Sequence, residues 1–286
     1  MQTQTKCDIL GFSVSVVDPE SEVCVGPITA DVSRRSCSRA SQPNGSGAGP
    51  SLRGMDSTSS TSRLRSDATA EANRPIQIAS SVLRDRRHVC AFFNSREDEY
   101  HVTLPFIKDG FECGDKAFHI IDPARRVDHL QRMASSGIDT ASFEGSGQFE
   151  LHDWADTFFR DGSFNPDRQL ALLEHALKSG RQQGFRISRY VAHAEWALEE
   201  GASTDLLLEF EAKVNQVWPR STDVVICAYD LARFRGDIVI DVIRTHPMVI
   251  IGGILQRNPF FIEPDEFLQE LRKKRATRAE SLSSSG

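Results

Sequence analysis

Long apolar runs are missing from this sequence. No stretch approaches the ~20 residues that a membrane-spanning helix requires, and the amino terminus has neither the basic start nor the apolar block of a secretion signal. A cytoplasmic protein is expected. Paired Cys-x-x-Cys motifs are also missing. Of six cysteines, Cys7, Cys24 and Cys37 lie in a polar segment, while Cys90, Cys113 and Cys227 sit in or beside apolar ones. That pattern argues against a disulfide framework or a zinc ribbon and for reduced, buried thiols. Nor is there an excess of positive charge. Lys and Arg number 34 against 40 Asp and Glu, a formal net charge of -6, so neither direct nucleic-acid binding nor attraction to an anionic membrane is expected.

Two catalytic signatures are absent as well. The first apolar segment is followed by Asn94-Ser95-Arg96-Glu97-Asp98-Glu99, without the glycines and lysine of a phosphate-binding loop, and its three acids would repel a triphosphate. No G-x-S-x-G elbow appears, so a hydrolase of that type lacks its nucleophile. A non-catalytic protein without a cofactor is the expectation.

What the chain does contain divides it in three. Residues 1–80 are dominated by Ser, Thr, Arg, Gly and Asp, a composition that cannot offset its ordering entropy, and they are expected to form a disordered leader. Residues 81–275 alternate strand-like and helix-like segments, and 276–286 read as a disordered tail. Val224-Val225-Ile226-Cys227-Ala228-Tyr229-Asp230 anchors the middle region. It is too short for a helix, rich in β-branched residues, and reads as a parallel strand buried on both faces. Further strands are expected at His88–Phe93, Lys116–Ile121, Gln148–Leu151, Phe185–Ala192 and Met248–Leu255. Helices follow Ser95, Asp122-Pro123, Asn165-Pro166, Ser203, Gly236 and Pro264. The alternation predicts an α/β three-layer sandwich with a mainly parallel sheet.

In such sheets ligands bind beyond the carboxyl ends of the strands. Asn94, Ser95, Glu195, Trp196, Tyr229 and Asp230 belong to that edge and form the candidate small-molecule site, a mix of carboxylates, indole and phenol around one crevice. Tyr229 and Asp230 read equally well as a strand-end cap. Glu195 is either solvated or set against Arg186 or a ligand. His88 and Cys90 are two apart and share a face. With Cys227 they are read as buried side chains rather than metal ligands, because close ligand pairs and a fourth ligand are missing. His246 precedes the last strand and belongs with His88 at the amino edge, in a structural role.

Several of these pieces together resemble the MEDS family of DcmR-like sensory domains: His88-Val89-Cys90-Ala91-Phe92-Phe93, Pro105-Phe106-Ile107, Gly162-Ser163-Phe164, Gly184-Phe185-Arg186, Ala194-Glu195-Trp196, Glu211 to Asn215, Cys227-Ala228-Tyr229-Asp230 and His246-Pro247. The resemblance covers about Arg87 to Asn258. It implies a fold related to the RecA and KaiC ATPases that has lost the phosphate loop, and a role in sensing small hydrocarbon derivatives or metabolites. It also implies a partner regulator: a histidine kinase, an anti-sigma factor or a transcription regulator. Two other readings stay open at this point. One is a degenerate nucleotide-binding protein, motivated by the strand ending in Asp230. The other is an interaction scaffold presenting Arg272-Lys273-Lys274-Arg275.

Overall fold

The computed structural model describes residues 8–9, 12–13, 74–159, 162–199, 202–217 and 222–283. The chain forms two compact units, 1–45 and 46–286. In the first, strands β1 (Asp8–Ile9) and β2 (Phe12–Ser13) pair antiparallel. The rest of the expected leader up to residue 73 lies outside the described residues.

The second unit is built on a seven-stranded sheet of order β11-β10-β5-β9-β8-β6-β7. Its central strands are β5 (His88–Phe93), β6 (Lys116–Ile121), β8 (Ser188–His193) and β9 (Val224–Asp230). All pairings among them, and those to β7 (Phe149–Asp153) and β10 (Met248–Ile251), are parallel. Side chains alternate between the two faces. Cys90, Phe92, Tyr190, Ala192, Val225, Cys227 and Tyr229 enter one core, while Val89, Ala91, Phe93, Val191, Ile226 and Ala228 enter the other. Both faces are covered, and this is why the strands read as unbroken apolar runs.

The first core is closed by helices α5 (Pro166–Gln182), α6 (Thr204–Val217), α7 (Gly236–Thr245) and α8 (Pro264–Ser283). The second is closed by α1 (Arg96–Glu112), α2 (Arg126–Ser135) and a hairpin of β3 (Ile76–Ile78) and β4 (Ser81–Leu83). Two short helices, α3 (Thr140–Gly145) and α4 (Trp154–Thr157), flank β7. The result is the three-layer α/β architecture expected from the alternation.

Three boundaries differ from expectation. The leader was drawn through residue 80, yet Ile76 and Leu83 are completely buried and belong to the core. Met248–Leu255 was read as one strand. Gly252 and Gly253 instead adopt φ of 57° and 73°, folding the chain into an antiparallel hairpin with β11 (Ile254–Arg257). The tail expected from 276 is helical as far as Ser283, where Arg278 reaches Asp205 at 3.1 Å. Cys90 and Cys227 are free, buried thiols as expected.

Candidate functional site

The carboxyl edge of the sheet is occupied by the protein's own side chains. Ser95 caps α1, its hydroxyl accepting from Asp98 N at 3.2 Å, and Asn94 beside it is exposed. Glu195 Oε1 accepts from the backbone N–H of Asp230 at 3.1 Å. Asp230 in turn caps the following turn through Ala232 N and pairs with Arg125 at 3.4 Å. Arg125 also reaches Glu99 at 3.4 Å, and Glu99 receives His193 Nε2 at 2.7 Å. Burial opposes both charges in that last pair. The Glu99 carboxylate nevertheless raises the His193 pKa, and His193, with Arg125, holds Glu99 below the usual carboxylate range.

Of the six residues assigned to this edge, the structure brings Glu195 and Asp230 together. Trp196 is buried rather than set at the open edge. It enters the first core, stacked on Phe164 with ring centres 4.0 Å apart. Tyr229 is buried on the same face, its hydroxyl donating to Glu211 Oε1 at 2.7 Å. In the sequence, Glu99 counts only among three acids after the first strand, and Arg125 and His193 are assigned no site role. Only the parallel register brings them together.

A second polar group lies under α6, toward the amino ends of the strands. His88 opens β5, Cys227 is on β9, His246 lies two residues before β10 at the end of α7, and Glu211 projects from α6. Glu211 Oε2 lies 3.2 Å from His88 Nε2, 3.3 Å from His246 Nε2 and 3.4 Å from Cys227 Sγ. Cys227 Sγ lies 3.6 Å from His88 Nε2. All four residues are buried, and their donor atoms lie within 4.8 Å of one another. Cys90 flanks His246 but donates its thiol to Met248 O at 3.7 Å. Burial alone would neutralise Glu211. The opposing charge of His246 and hydrogen bonds from both histidines keep it ionised, its pKa well below the usual range. Burial and the Glu211 charge push the Cys227 thiol and the Tyr229 phenol upward.

Glu211 was overlooked because it was taken only as part of a matching stretch. The signal was present, since Leu207, Phe210 and Val214 form the buried stripe of α6 and a carboxylate interrupts it. His88 and Asn215 separate this group from a cavity of about 240 Å³ whose walls also include Arg87, Pro247, Phe261 and Glu263. On the far side, a recess of about 10 Å³ between Tyr190, Trp196 and Cys227 has space for a single water-sized particle.

A sequence model of the family described as "MEthanogen/methylotroph, DcmR Sensory domain" matches residues 87–247, more than half of the chain. The chain belongs to the MEDS family. Among curated proteins, the MEDS chain is 21% identical over 171 residues to a transcriptional repressor, DcmR, from Methylorubrum extorquens (strain DSM 6343 / CIP 106787 / DM4). The match takes in 59% of this chain and 62% of the repressor, less than two thirds of the repressor's length. Among solved structures, the KaiC-like protein PH0186 from Pyrococcus horikoshii OT3 aligns at 19% identity with a TM-score of 0.43, covering 60% of this MEDS chain and 73% of that one. Among the described residues, no helix is long and apolar enough to cross a membrane.

Proposed function

We propose that this MEDS domain is a non-catalytic, cytoplasmic sensor that binds a small organic molecule, a hydrocarbon derivative or metabolite, and passes the signal to a regulatory partner. A histidine kinase, an anti-sigma factor or a transcription regulator is the class of partner, in keeping with the transcriptional role of the DcmR repressor. The input site is moved from the carboxyl edge, which Arg125 bridges, to the cavity beside His88.

One observation carries this reading: the cavity wall is continuous with the buried polar core. His88 and Asn215 line the cavity and bond to each other at 2.9 Å. Asn215 also donates to Thr245 O at the end of α7, and His88 meets Glu211, which holds Tyr229. A ligand that packs against His88 and Asn215 therefore acts on α6, α7 and β9 together. It shifts the population of states only to the extent that it favours one of them. The nucleotide reading fares worse, because Glu97, Asp98 and Glu99 fill the first turn of α1 where phosphates would sit.

The test is a thermal-shift screen of halogenated and methylated one- and two-carbon compounds, short alcohols and short acids. A ligand at a hundredfold excess over Kd stabilises by about 2.7 kcal/mol, enough for a clear rise in Tm. That rise should be lost in Phe261→Ala and Glu263→Ala, the first at a half-buried and the second at an exposed position of the cavity wall. A hit whose effect survives both substitutions would move the site elsewhere.

A further inference from the structure

We infer that His88, Glu211, Cys227 and His246 form a binding site for a divalent transition ion of the zinc class. The inference stands whether or not the neighbouring cavity takes an organic ligand.

The spacing of the donors is the first argument. A tetrahedral ion holds nitrogen and oxygen at about 2.0–2.1 Å and thiolate sulfur at about 2.3 Å, so neighbouring donors stand roughly 3.3–3.6 Å apart. Four of the six separations run from 3.2 Å for His88 to Glu211 through 3.3 Å and 3.4 Å to 3.6 Å for Cys227 to His88, and the other two, from His246 to His88 and to Cys227, are within 4.8 Å. Donors from β5, α6, β9 and the α7–β10 junction thus sit near the corners of one coordination polyhedron.

Ring orientation is the second argument. His88 Nδ1 faces Asn215 Oδ1 at 2.9 Å, and that oxygen is identified because Asn215 Nδ2 donates to Glu211 O and Thr245 O. His246 Nδ1 faces Val242 O at 2.9 Å. Both partners are acceptors, so each ring carries a hydrogen on Nδ1 and turns Nε2 inward. His246 Nε2 is completely buried and points at Glu211 Oε2, 3.3 Å away. Histidines that ligate metals are oriented in this way by an acceptor behind them. The Tyr229 hydroxyl does the same for Glu211, engaging Oε1 and leaving Oε2 toward the histidines and the thiol.

Charge is the third argument. One carboxylate, one thiolate and two neutral imidazoles balance a divalent ion, so the loaded site buries no net charge. Cys227 binds as thiolate and His246 as neutral imidazole, each giving up its proton to solvent. Four protein donors leave no open position, which is the pattern of a closed site rather than a catalytic one. The mixed nitrogen, oxygen and sulfur set suits zinc and its first-row neighbours and disfavours magnesium or calcium. The cavity at His88 supplies an entry path.

Metal content of the full chain, purified without chelator, should be close to one zinc-class ion per molecule. Cobalt(II) added to chelator-treated protein should give tetrahedral ligand-field bands with a thiolate charge-transfer band. That band should vanish in Cys227→Ser, and Glu211→Gln should weaken zinc binding at least tenfold in competition with a chromophoric chelator. If Glu211→Gln fails to fold, the wild-type cobalt spectrum and Cys227→Ser still decide. Chelator-treated protein that takes up no zinc and keeps its Tm would overturn the inference. So would cobalt binding with no sulfur band, or with a spectrum unchanged in Cys227→Ser.

Discussion

Buried ionisable side chains in this molecule carry pH dependence of opposite signs. His129 accepts from the Tyr100 hydroxyl at 2.9 Å and meets His119 at 3.1 Å, a chain satisfied by neutral rings. Burial, reinforced by the charge of His193, lowers the His129 pKa from 6.5 to about 4, and burial lowers His119 well below its ordinary value. Between these limits the unfolded chain binds protons that the folded chain refuses, so stability falls as the pH drops from 6.5 toward 4. Each pKa unit is worth about 1.4 kcal/mol, so His129 accounts for at most roughly 3.5 kcal/mol. His193 has the opposite sign. Its pKa is raised, so its contribution is complete below 6.5 and is lost as the pH rises through the folded value. Urea melts at several pH values should show the acid loss, and His129→Gln should flatten it; an unchanged slope would sink the assignment. Tyr229→Phe provides a second check at this scale. It leaves Glu211 Oε1 without its donor inside the core, so a loss of about 1–3 kcal/mol is expected in the same melts. At this scale the sequence was only partly legible. His88 and His246 were correctly placed together at the amino edge, but Tyr229 and Trp196 were sent toward a crevice. Strand-end position alone does not tell which face a side chain takes.

Elements were legible wherever their period was strong. β5, β6 and β9 span the residues expected for them, because a run buried on both faces has sharp polar limits. The β10–β11 hairpin was missed. Its Gly252-Gly253 turn sits inside an apolar stretch that hydropathy alone joins into one strand, and the parallel edge hid the antiparallel return. The terminal helix was cut short for another reason: its last turns are polar, and Arg275 and Arg278 hold them to Glu209 and Asp205. Helix α1 contains a position that propensity would misjudge. Gly110 is costly in a helix, and alanine there would ordinarily gain up to about 1 kcal/mol. A Cβ at Gly110 would stand 2.8 Å from Arg189 Cδ and 2.9 Å from Nε. Arg189 cannot yield. It is 2% exposed and held by Asp115 at 2.8 Å and Asp109 at 2.6 Å. The clash outweighs the propensity gain, and Gly110→Ala is expected to destabilise by about 1–3 kcal/mol. Gly114→Ala is a less direct comparison, because no neighbour stands near its Cβ but its φ is 75°. Equal or greater stability of Gly110→Ala in chemical denaturation would show that Arg189 does move.

At the scale of the whole molecule, the question is where the cooperative unit begins. The family match starts at residue 87, immediately before β5. The folded core starts earlier. Ile76 and Leu83, at opposite ends of the β3–β4 hairpin, are directly paired and completely buried, and they belong to the core closed by α1. Arg74 extends the anchorage, its guanidinium reaching Asp115 at 2.6 Å, while Arg87 donates to Arg74 O at 3.0 Å. The hairpin therefore packs against α1 through β3 and against β11 through β4, and Ile76, Ile78 and Leu83 join the core on that side of the sheet. Two buried aliphatic truncations in one small element should be felt globally. Large-to-small changes of this kind cost about 2–5 kcal/mol each, depending on how far the site collapses. Ile76→Ala with Leu83→Ala should thus lower the urea midpoint of the entire β5–α8 unit in a single transition, with protection against hydrogen exchange falling in β5 as well as in the hairpin. A chain beginning at residue 87 should show the larger loss and bind hydrophobic dye. If the double variant unfolds only locally, leaving exchange in β5 unaltered, the hairpin is an ornament and the stable unit begins where the family match does.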